Sequence, residues 1–569
     1  MAMASVPEQA TTAWAASLVA TLARAGVARF IISPGSRSTP LAAAAARQQG
    51  AGCVVAHDER AAGFYAAGYG SAARRPAALI CTSGTAVANY LPAVIEASQA
   101  DVPMVVLSAD RPPELRDTGA NQTIAQPDIF GGYVRWRFDL PCPGPDTPPD
   151  TAAVAAAAAV ARAIAPPAGP VHLNCMFREP LAPCAPPPAG AARAARYTPA
   201  EVMPPEAEVA GLAGRLGAAH KGVLAVGPLR GRDERDAVCA LARALRWPVF
   251  ADAASGLRAD STPGIIPFFD LALLPPDAAA RLAPEAILHA GGRMTSTRFL
   301  SLARAAGEYI HIADSPRRRD PASLVTLHVQ ASLGRIASDL AARIRSAADA
   351  AYLDELRRLS ARAGAIVERV LGDELSEPAC ARLIARRLPD GHGLFLARSM
   401  PVRDMDMFAP AAARPRAVGV NWGASGIDGT IASALGFSDG LDAPLTLFTG
   451  DMAFLHDLNS LALLARHRHP VTIVLANNGG GGIFSFLPLG TCAEFVEEYF
   501  AAAHGLAFKS AAELFGIPHA APADMRGLED AYATATRGQA PAIIEVAGDR
   551  ARNLDLHRRL YAAVTEDDQ

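Results

Sequence analysis

Short runs of apolar residues recur along the chain without the polar alternation of a half-solvated strand. In the N-terminal third they are RFIIS (29–33), AALICTS (77–83), VPMVVLSA (102–109) and GPVHLNC (169–175). GVLAVG (222–227), PVFAD (248–252), AILHAGG (286–292) and YIHIA (309–313) follow, then GLFLA (393–397), LTLFTG (445–450), VTIVLAN (471–477) and AIIEV (542–546). Runs of this length, rich in β-branched residues, predict strands buried on both faces. In the N-terminal third, a Gly/Ser/Pro turn and an alanine-rich helical segment follow the strands, the rhythm of a parallel sheet. The pattern predicts an α/β protein of three consecutive open parallel-sheet domains, over residues 1–185, 206–350 and 376–569. A Pro/Ala-rich linker (186–205) separates the first two, and a charged helical connector (351–375, helical from Tyr352 to Arg369) separates the last two. PCPGPDTPPD (141–150) and APCAPPPAG (182–190) also read as linker. In open parallel sheets ligands sit beyond the carboxyl ends of strands, so chemistry is expected in the turns that follow them.

Composition narrows the class. The chain has 569 residues, 51% hydrophobic and 19% charged, with 53 Lys+Arg against 56 Asp+Glu and a net charge of -3. That balance gives no electrostatic footprint for nucleic acid or an anionic membrane surface. The 8 cysteines are scattered without a CxxC pair, which gives neither a disulfide framework nor a zinc site. The opening residues MAMASVPEQATTAW lack a basic segment followed by an apolar core, and no apolar run reaches the ~18 residues of a membrane span. The nearest is Ala152 to Ala161. A large cytoplasmic enzyme is expected. Gly68-Tyr69-Gly70-Ser71-Ala72-Ala73 formally matches GxGxxA, but it lies inside a small-residue helical stretch that begins near Glu59. It therefore reads as close helix packing and not as a dinucleotide site.

The strongest chemical constellation is in the third domain. One strand ends in Gly450-Asp451; after 25 intervening residues the next ends in Asn477-Asn478, followed by Gly479-Gly480-Gly481-Gly482. Two strand ends thus offer a carboxylate, an amide oxygen and a glycine-rich loop. A hard cation such as Mg²⁺ takes oxygen ligands of this kind and shares them with phosphates. The glycines let backbone approach a diphosphate, and a helix starting after Asp451 adds positive dipole.

This spacing resembles the GDX(25–30)NN signature of thiamine-diphosphate enzymes. The resemblance implies that the three domains are pyrimidine-binding, central and diphosphate-binding, with thiamine diphosphate and Mg²⁺ (or Mn²⁺) as cofactors. It also implies a glutamate in the first domain, and VVAHDERAAGFYAAGYG (54–70) supplies Glu59 after a strand. Such a carboxylate hydrogen-bonds the aminopyrimidine ring, favours its imino tautomer and so sets up removal of the C2 proton. Taken alone, Asp-Glu-Arg after a strand is a helix N-cap with a first-turn acid.

IISPGSRSTPL (31–41), LSADRPPELRDTGANQTIAQ (107–126), RSMPVRDMD (398–406), NWGASGIDG (421–429), GDMAFLHDLNSL (450–461) and NNGGGGIFSFLPLG (477–490) together resemble one family. It is that of the menaquinone-pathway 2-succinyl-5-enolpyruvyl-6-hydroxy-3-cyclohexene-1-carboxylate (SEPHCHC) synthases, also called MenD. The likeness is strong in the first and third domains and weak in the middle one, which shows no site of its own. It implies a transferase that decarboxylates 2-oxoglutarate and adds the succinyl unit to isochorismate. Asp451, Asn478 and the Gly480 carbonyl match the family's metal ligands. Gly450, Met452, Gly481, Ile427 and Ile483 match its cofactor contacts, Ile427 as the bulky prop beneath the cofactor. Ser399, Arg403 and Arg298 match positions for the donor's distal carboxylate, with Phe484 and Leu487 on the apolar wall. Ser36, Arg37, Arg111, Asn121 and Gln122 match the acceptor side. Both substrates are dianions, for which Arg forks are natural partners. A homodimer or homotetramer is implied too, because in the family Glu59's domain of one chain faces the diphosphate domain of another.

The chain departs from the family at four places. Trp422 and Thr297 stand where the family has an arginine and a lysine, Ala397-Arg398 replaces Gly-Asn before Ser399, and Gly479 replaces a third asparagine. Losing one charge-assisted bond to a carboxylate costs about 1.5–3 kcal/mol, enough to change substrate preference. Two other readings therefore stay open: a carboligase with the same donor and a different acceptor, and a catalytically silent homologue acting as a partner protein. Retention of Glu59, Asp451 and Asn478 opposes the latter.

Overall fold

The protein is described by a computed structural model covering residues 6–144, 146–182, 184, 193–412, 415, 417–491 and 493–566. Its first sheet is built from β1 (Arg29–Ile32), β2 (Gly52–Val55), β3 (Ala77–Cys81), β4 (Met104–Asp110), β5 (Trp136–Leu140) and β6 (Pro170–Met176), in the order β2-β1-β3-β4-β6-β5. The second contains β7 (Gly222–Val226), β8 (Val249–Ala251), β9 (Ala286–Ala290), β10 (Glu308–Ala313) and β11 (Leu327–Gln330), ordered β11-β10-β9-β7-β8. The third contains β12 (Gly393–Leu396), β13 (Val418–Gly419), β14 (Leu445–Gly450), β15 (Val471–Asn477), β16 (His519–Ala520) and β17 (Ala542–Ala547), ordered β13-β12-β14-β15-β17-β16. Every pairing is parallel. The first and third sheets share one strand order, so each has its topological switch between equivalent strands: β1 and β3 in one, β12 and β14 in the other. The crevice beyond such a switch is where ligands bind in open sheets.

The central strands follow the apolar runs closely because both of their faces are covered. β3, β4, β6, β7 and β9 are buried at every residue. β5, β11, β13 and β16 were not anticipated, and each lies at the edge of its sheet, where one row of backbone and part of each face stay open. The connector is a helix over Ala350–Leu371, capped by Asp349, whose carboxylate accepts from the Ala351 N–H at 2.9 Å. Part of PCPGPDTPPD is helical instead of linker: Pro149 and Asp150 open a helix that runs to Ile164. Proline suits the first turn and alanine has the highest helix propensity, and Ala152, Ala156 and Ala159 are buried against Trp14 and Leu18. No helix among the described residues is long and apolar enough to cross a membrane. Residues 183 and 185–192, which include part of APCAPPPAG and the start of the linker, lie outside the described residues; 193–205 form no helix or strand.

The described residues divide into two units. One holds the first sheet and comprises Met1–Ala200 with Asn421–Leu441 and Asp457–Arg466; the other holds the second and third sheets. In the first unit, helix Glu59–Ala73 packs on helix Thr430–Leu441 at very close range. A Cβ at Gly68 would stand 1.9 Å from the Ser433 carbonyl oxygen, and one at Gly436 would stand 1.9 Å from that of Tyr65. The GxGxxA match is thus a helix crossing, as its lack of strand context indicated. Arg29 clamps the same helix, donating to both carboxylate oxygens of buried Asp439 at 2.8 and 3.0 Å. Gly68→Ala is expected to lower the melting temperature, through overpacking of about 1–3 kcal/mol that no rotamer relieves. Gly211→Ala, on an open helix surface with nothing within 4 Å, should be neutral or stabilising. Thermal unfolding of the two variants side by side checks this.

Candidate active site

In the third sheet, β14 and β15 pair so that Gly450 lies beside Ala476. Asp451 and Asn477-Asn478 therefore leave the sheet at one level. Asp451 opens helix Asp451–His456 and is 2% exposed. Its Oδ1 accepts from the Met452 N–H at 2.7 Å and its Oδ2 from the Gly480 N–H at 2.8 Å. Burial raises its carboxyl above the ordinary range, and these N–H donors and His504 offset part of that rise. The two asparagines differ. Asn477 turns into the fold and donates to Glu545 at 2.7 Å and to the Leu506 carbonyl at 2.9 Å. Asn478 donates its amide N–H to Glu377 at 2.7 Å, while its Oδ1 is buried with no hydrogen-bond partner.

The glycine loop wraps this pair. Gly479 and Gly480 have φ of +77° and +152°, and a Cβ on Gly480 would lie 2.6 Å from the Ala501 carbonyl oxygen. Arg550 donates to the Gly479 carbonyl at 2.6 Å, and the Gly481 N–H donates to that of Ala501 at 2.7 Å. The Gly480 carbonyl accepts from the Gly482 N–H at 2.9 Å. Met452, Ile483 and Phe484 are half-buried, and Leu487 is exposed. A Cβ at Gly450 would meet nothing within 4 Å, so open space adjoins the carboxylate. A buried carboxylate and a buried amide oxygen with no donor among the described residues are oxygen donors of the kind that could hold a hard cation, with water and phosphate completing its shell. The described residues contain no group of three His, Cys, Asp or Glu that could hold a metal ion.

On the neighbouring side of the switch, β12 is followed by Ser399, held at φ +76°, and by helix Met400–Phe408. The Arg403 guanidinium donates to the Ser399 carbonyl at 2.6 Å. Burial lowers its pKa, Asp404 opposes that shift, and the like charge of Arg293 adds to it. Arg298 differs, because it pairs with buried Asp270 and lies 5.0 Å over the Tyr561 ring. Its charge is already met within the fold, whereas Arg403 bonds a backbone carbonyl.

The first unit collects the remaining positions at the carboxyl ends of its strands. Glu59 opens the helix after β2 and is half-buried. Asp58 supplies the cap, its carboxylate accepting from the Arg60 N–H at 2.9 Å. Arg37, after β1, is 6% exposed, and donates to the Phe177 carbonyl at 3.0 Å and to Glu179 at 3.1 Å. Arg111, after β4, bonds Ser83 and reaches Gln122 at 3.5 Å. Burial lowers the Arg111 pKa, and the charge of Arg37 lowers it further, so the two cations stand close together. Ser36, Asn121 and Gln122 are exposed. Gln126 fixes the segment that carries Asn121 and Gln122 by accepting from the Gly84 N–H at 3.1 Å and donating to the Ala109 carbonyl at 3.0 Å. Ile427 lies on the loop 421–429, which buried Glu96 holds by accepting from the Gly423 and Ala424 N–H groups at 2.7 and 2.6 Å.

Comparison with known proteins settles the family. Residues 13–129 match the N-terminal TPP binding domain of thiamine pyrophosphate enzymes, 216–396 their middle domain and 405–546 their C-terminal TPP binding domain. A 2-succinyl-5-enolpyruvyl-6-hydroxy-3-cyclohexene-1-carboxylate synthase from Rubrobacter xylanophilus is 47% identical over 564 residues, covering 97% of this chain and 98% of that protein. The chain belongs to this synthase family. Relatives of the same name from Salinibacter ruber and Chlorobaculum tepidum are 43% and 42% identical, over 97% and 98% of the chain and 96% and 97% of their own length. The fold extends further. A solved structure described as a thiamin diphosphate-dependent enzyme from Mycobacterium smegmatis superposes with a TM-score of 0.70 at 19% identity, covering 94% of this chain and 99% of that one.

Within this family framework, several residues of the site had no signal in the sequence. Glu377, His504 and Arg550 reach the Asp451–Asn478 pair from distant stretches of the chain, Glu377 lying 101 residues before Asn478. Arg293 and Asp270 set the charge around Arg403 and Arg298. Glu96 holds the loop that carries Trp422 and Ile427. Only Glu96 sits in a stretch whose apolar helical pattern makes a buried carboxylate conspicuous.

Proposed function

We propose that the chain decarboxylates 2-oxoglutarate with thiamine diphosphate and a divalent cation, Mg²⁺ or Mn²⁺, and transfers the succinyl unit to isochorismate. The observation that carries this reading is the Asn478 Oδ1, buried without a donor among the described residues, at the strand end next to that of Asp451 in the third sheet. Asp451, Asn478 and the Gly480 carbonyl would hold the cation, with Gly450, Met452, Gly481 and Ile483 around the diphosphate and Ile427 beneath the ring system. Glu59 would hold the proton of the aminopyrimidine. When bound, the cofactor supplies an electron sink for the carbanion left by decarboxylation. Arg403 and Ser399 would orient the donor's distal carboxylate, with Phe484 and Leu487 excluding water and Arg298 a structural neighbour through Asp270. Arg37 and Arg111, two close cations with Ser36, Asn121 and Gln122 beside them, would receive the dianionic acceptor. We read the active form as a homodimer or homotetramer in the cytoplasm; exposed Leu487, Phe495, Tyr499, Phe500, Leu506 and Leu514 support burial against another copy.

A second reading keeps the donor and changes the acceptor, and Trp422 favours it. An indole donates one hydrogen bond and cannot pair with a carboxylate as a guanidinium does. The test is to incubate protein, Mg²⁺, thiamine diphosphate and 2-oxoglutarate with and without isochorismate and to identify products by mass. The isochorismate adduct is expected. If wild type makes it poorly and Trp422→Arg improves it roughly tenfold or more, by gain of one charge-assisted pair, the altered-acceptor reading holds instead. Products that contain no succinyl unit would overturn both.

A further inference from the structure

Glu377 is the first residue of helix Glu377–Arg387, capped by Ser376, and it is buried. The Glu377 Oε1 accepts from the Asn478 Nδ2 at 2.7 Å across 101 residues of sequence. The charges of Asp404, His557 and Asp451 also act on Glu377. Asp404 has its own partner: His557 Nε2 lies 2.9 Å from the Asp404 Oδ1, and His557 Nδ1 lies 2.9 Å from the Asn553 carbonyl. Both acceptors are satisfied together by a doubly protonated imidazole, so His557 carries the countercharge of Asp404. Among the described residues, Glu377 makes no ion pair of this kind. Its bond goes to a neutral amide, a costly arrangement for a buried carboxylate unless the amide's orientation matters.

The orientation does matter at this position. A side-chain amide can turn end for end, exchanging a donor for an acceptor. A carboxylate oxygen beside it accepts only the NH₂ end, which turns the Oδ1 to the opposite side. That is where Oδ1 is found, buried and without a donor. We propose that Glu377 is a positioning residue that fixes the Asn478 amide with its oxygen toward the cation. The inference rests on the reading of Asp451 and Asn478 as cation ligands. It assigns Glu377 no contact with cofactor or substrate.

The experiment measures binding of Mn²⁺ to the full-length protein with thiamine diphosphate present, read as loss of the free-Mn²⁺ resonance signal. Glu377→Ala is expected to weaken Mn²⁺ about 10–100-fold, the range for partners of a metal ligand. Glu377→Gln still offers an oxygen to the Asn478 NH₂ but can also turn its own NH₂ toward Asn478, so its affinity should lie between those of Glu377→Ala and wild type. A merely structural role would lower the melting temperature of Glu377→Ala without moving Mn²⁺ affinity. If Glu377→Ala does not fold, Glu377→Met, of similar length and without an acceptor, takes its place and should show the same loss. Wild-type affinity in Glu377→Ala or Glu377→Met, or a Glu377→Gln affinity no better than that of Glu377→Ala, overturns the proposal. Asp451→Asn separates the two levels. If it leaves Mn²⁺ binding intact the cation-site reading falls, and if it abolishes binding while Glu377→Ala does not, only the positioning role falls.

Discussion

Glu59→Gln is expected to slow exchange of the C2 proton of bound thiamine diphosphate by roughly 10²–10⁴-fold, the usual worth of a positioned acid–base group. Cofactor affinity should change less than about tenfold, since only one hydrogen bond is altered. The expectation draws on how the helix begins. Asp58 takes the capping role, accepting from the Arg60 and Ala61 N–H groups, so the Glu59 carboxylate one residue later is left for another partner. Had Glu59 itself capped the helix, Glu59→Gln would read out stability and not proton transfer. An amide offers N–H where the carboxylate holds a proton reversibly, and the other carboxylate that follows β2, Asp58, is engaged as the helix cap. Quenched exchange in D₂O followed by proton NMR of the released cofactor measures the rate. Exchange at the wild-type rate in the variant would remove Glu59 from the mechanism.

The parts of the fold that were legible in the sequence are those where burial is symmetrical. Runs such as AALIC and VTIVLAN are covered on both faces, so their composition alone reports a strand. Edge strands β5, β11, β13 and β16 are short and face mixed surroundings, and their composition reports little. The helix Pro149–Ile164 was partly hidden by the prolines before it, which serve as its entry and not as a linker. Gly68 shows the opposite case: its motif suggests a nucleotide, and the helix crossing at the Ser433 carbonyl explains the glycine better.

The site was legible where its residues lie next to strand ends, because topology brings strand ends together. Asp451, Asn478 and the glycine loop stand out in this way, whereas Arg37 and Arg111, which also follow strands, are singled out by the family resemblance. Spacing could not say which of the two asparagines presents a bare oxygen, since that depends on Glu377 and Glu545, which lie far away in the chain. Nor could it say that Arg298 meets Asp270, 28 residues earlier, or that the loop carrying Trp422 is tied down by Glu96. These are pairings between buried groups of opposite character, and composition along a single segment carries no trace of the partner.

Asp451→Ala should weaken Mg²⁺-dependent binding of thiamine diphosphate by more than about 100-fold, beyond the loss typical for a partner of a ligand. A hard cation would lose the one carboxylate of its donor set, and Gly480 would lose the oxygen to which its N–H donates at 2.8 Å. Calorimetric titration at fixed Mg²⁺ measures the change, and undiminished affinity would place the cation elsewhere. Under the proposed function, in which one site needs both Glu59 and Asp451, the variant also tests which chain supplies each. Glu59 lies in the unit with the first sheet and Asp451 in the unit with the third. If each site takes Glu59 from one chain and Asp451 from another, then Glu59→Gln and Asp451→Ala chains, each inactive alone, form a mixed dimer with one doubly damaged site and one intact site. Random reassortment after co-refolding or co-expression makes half of the dimers mixed, so about a quarter of wild-type activity per site should return. If a single chain supplied both residues, no pairing of these variants could assemble an intact site, and the mixture would stay as inactive as its components.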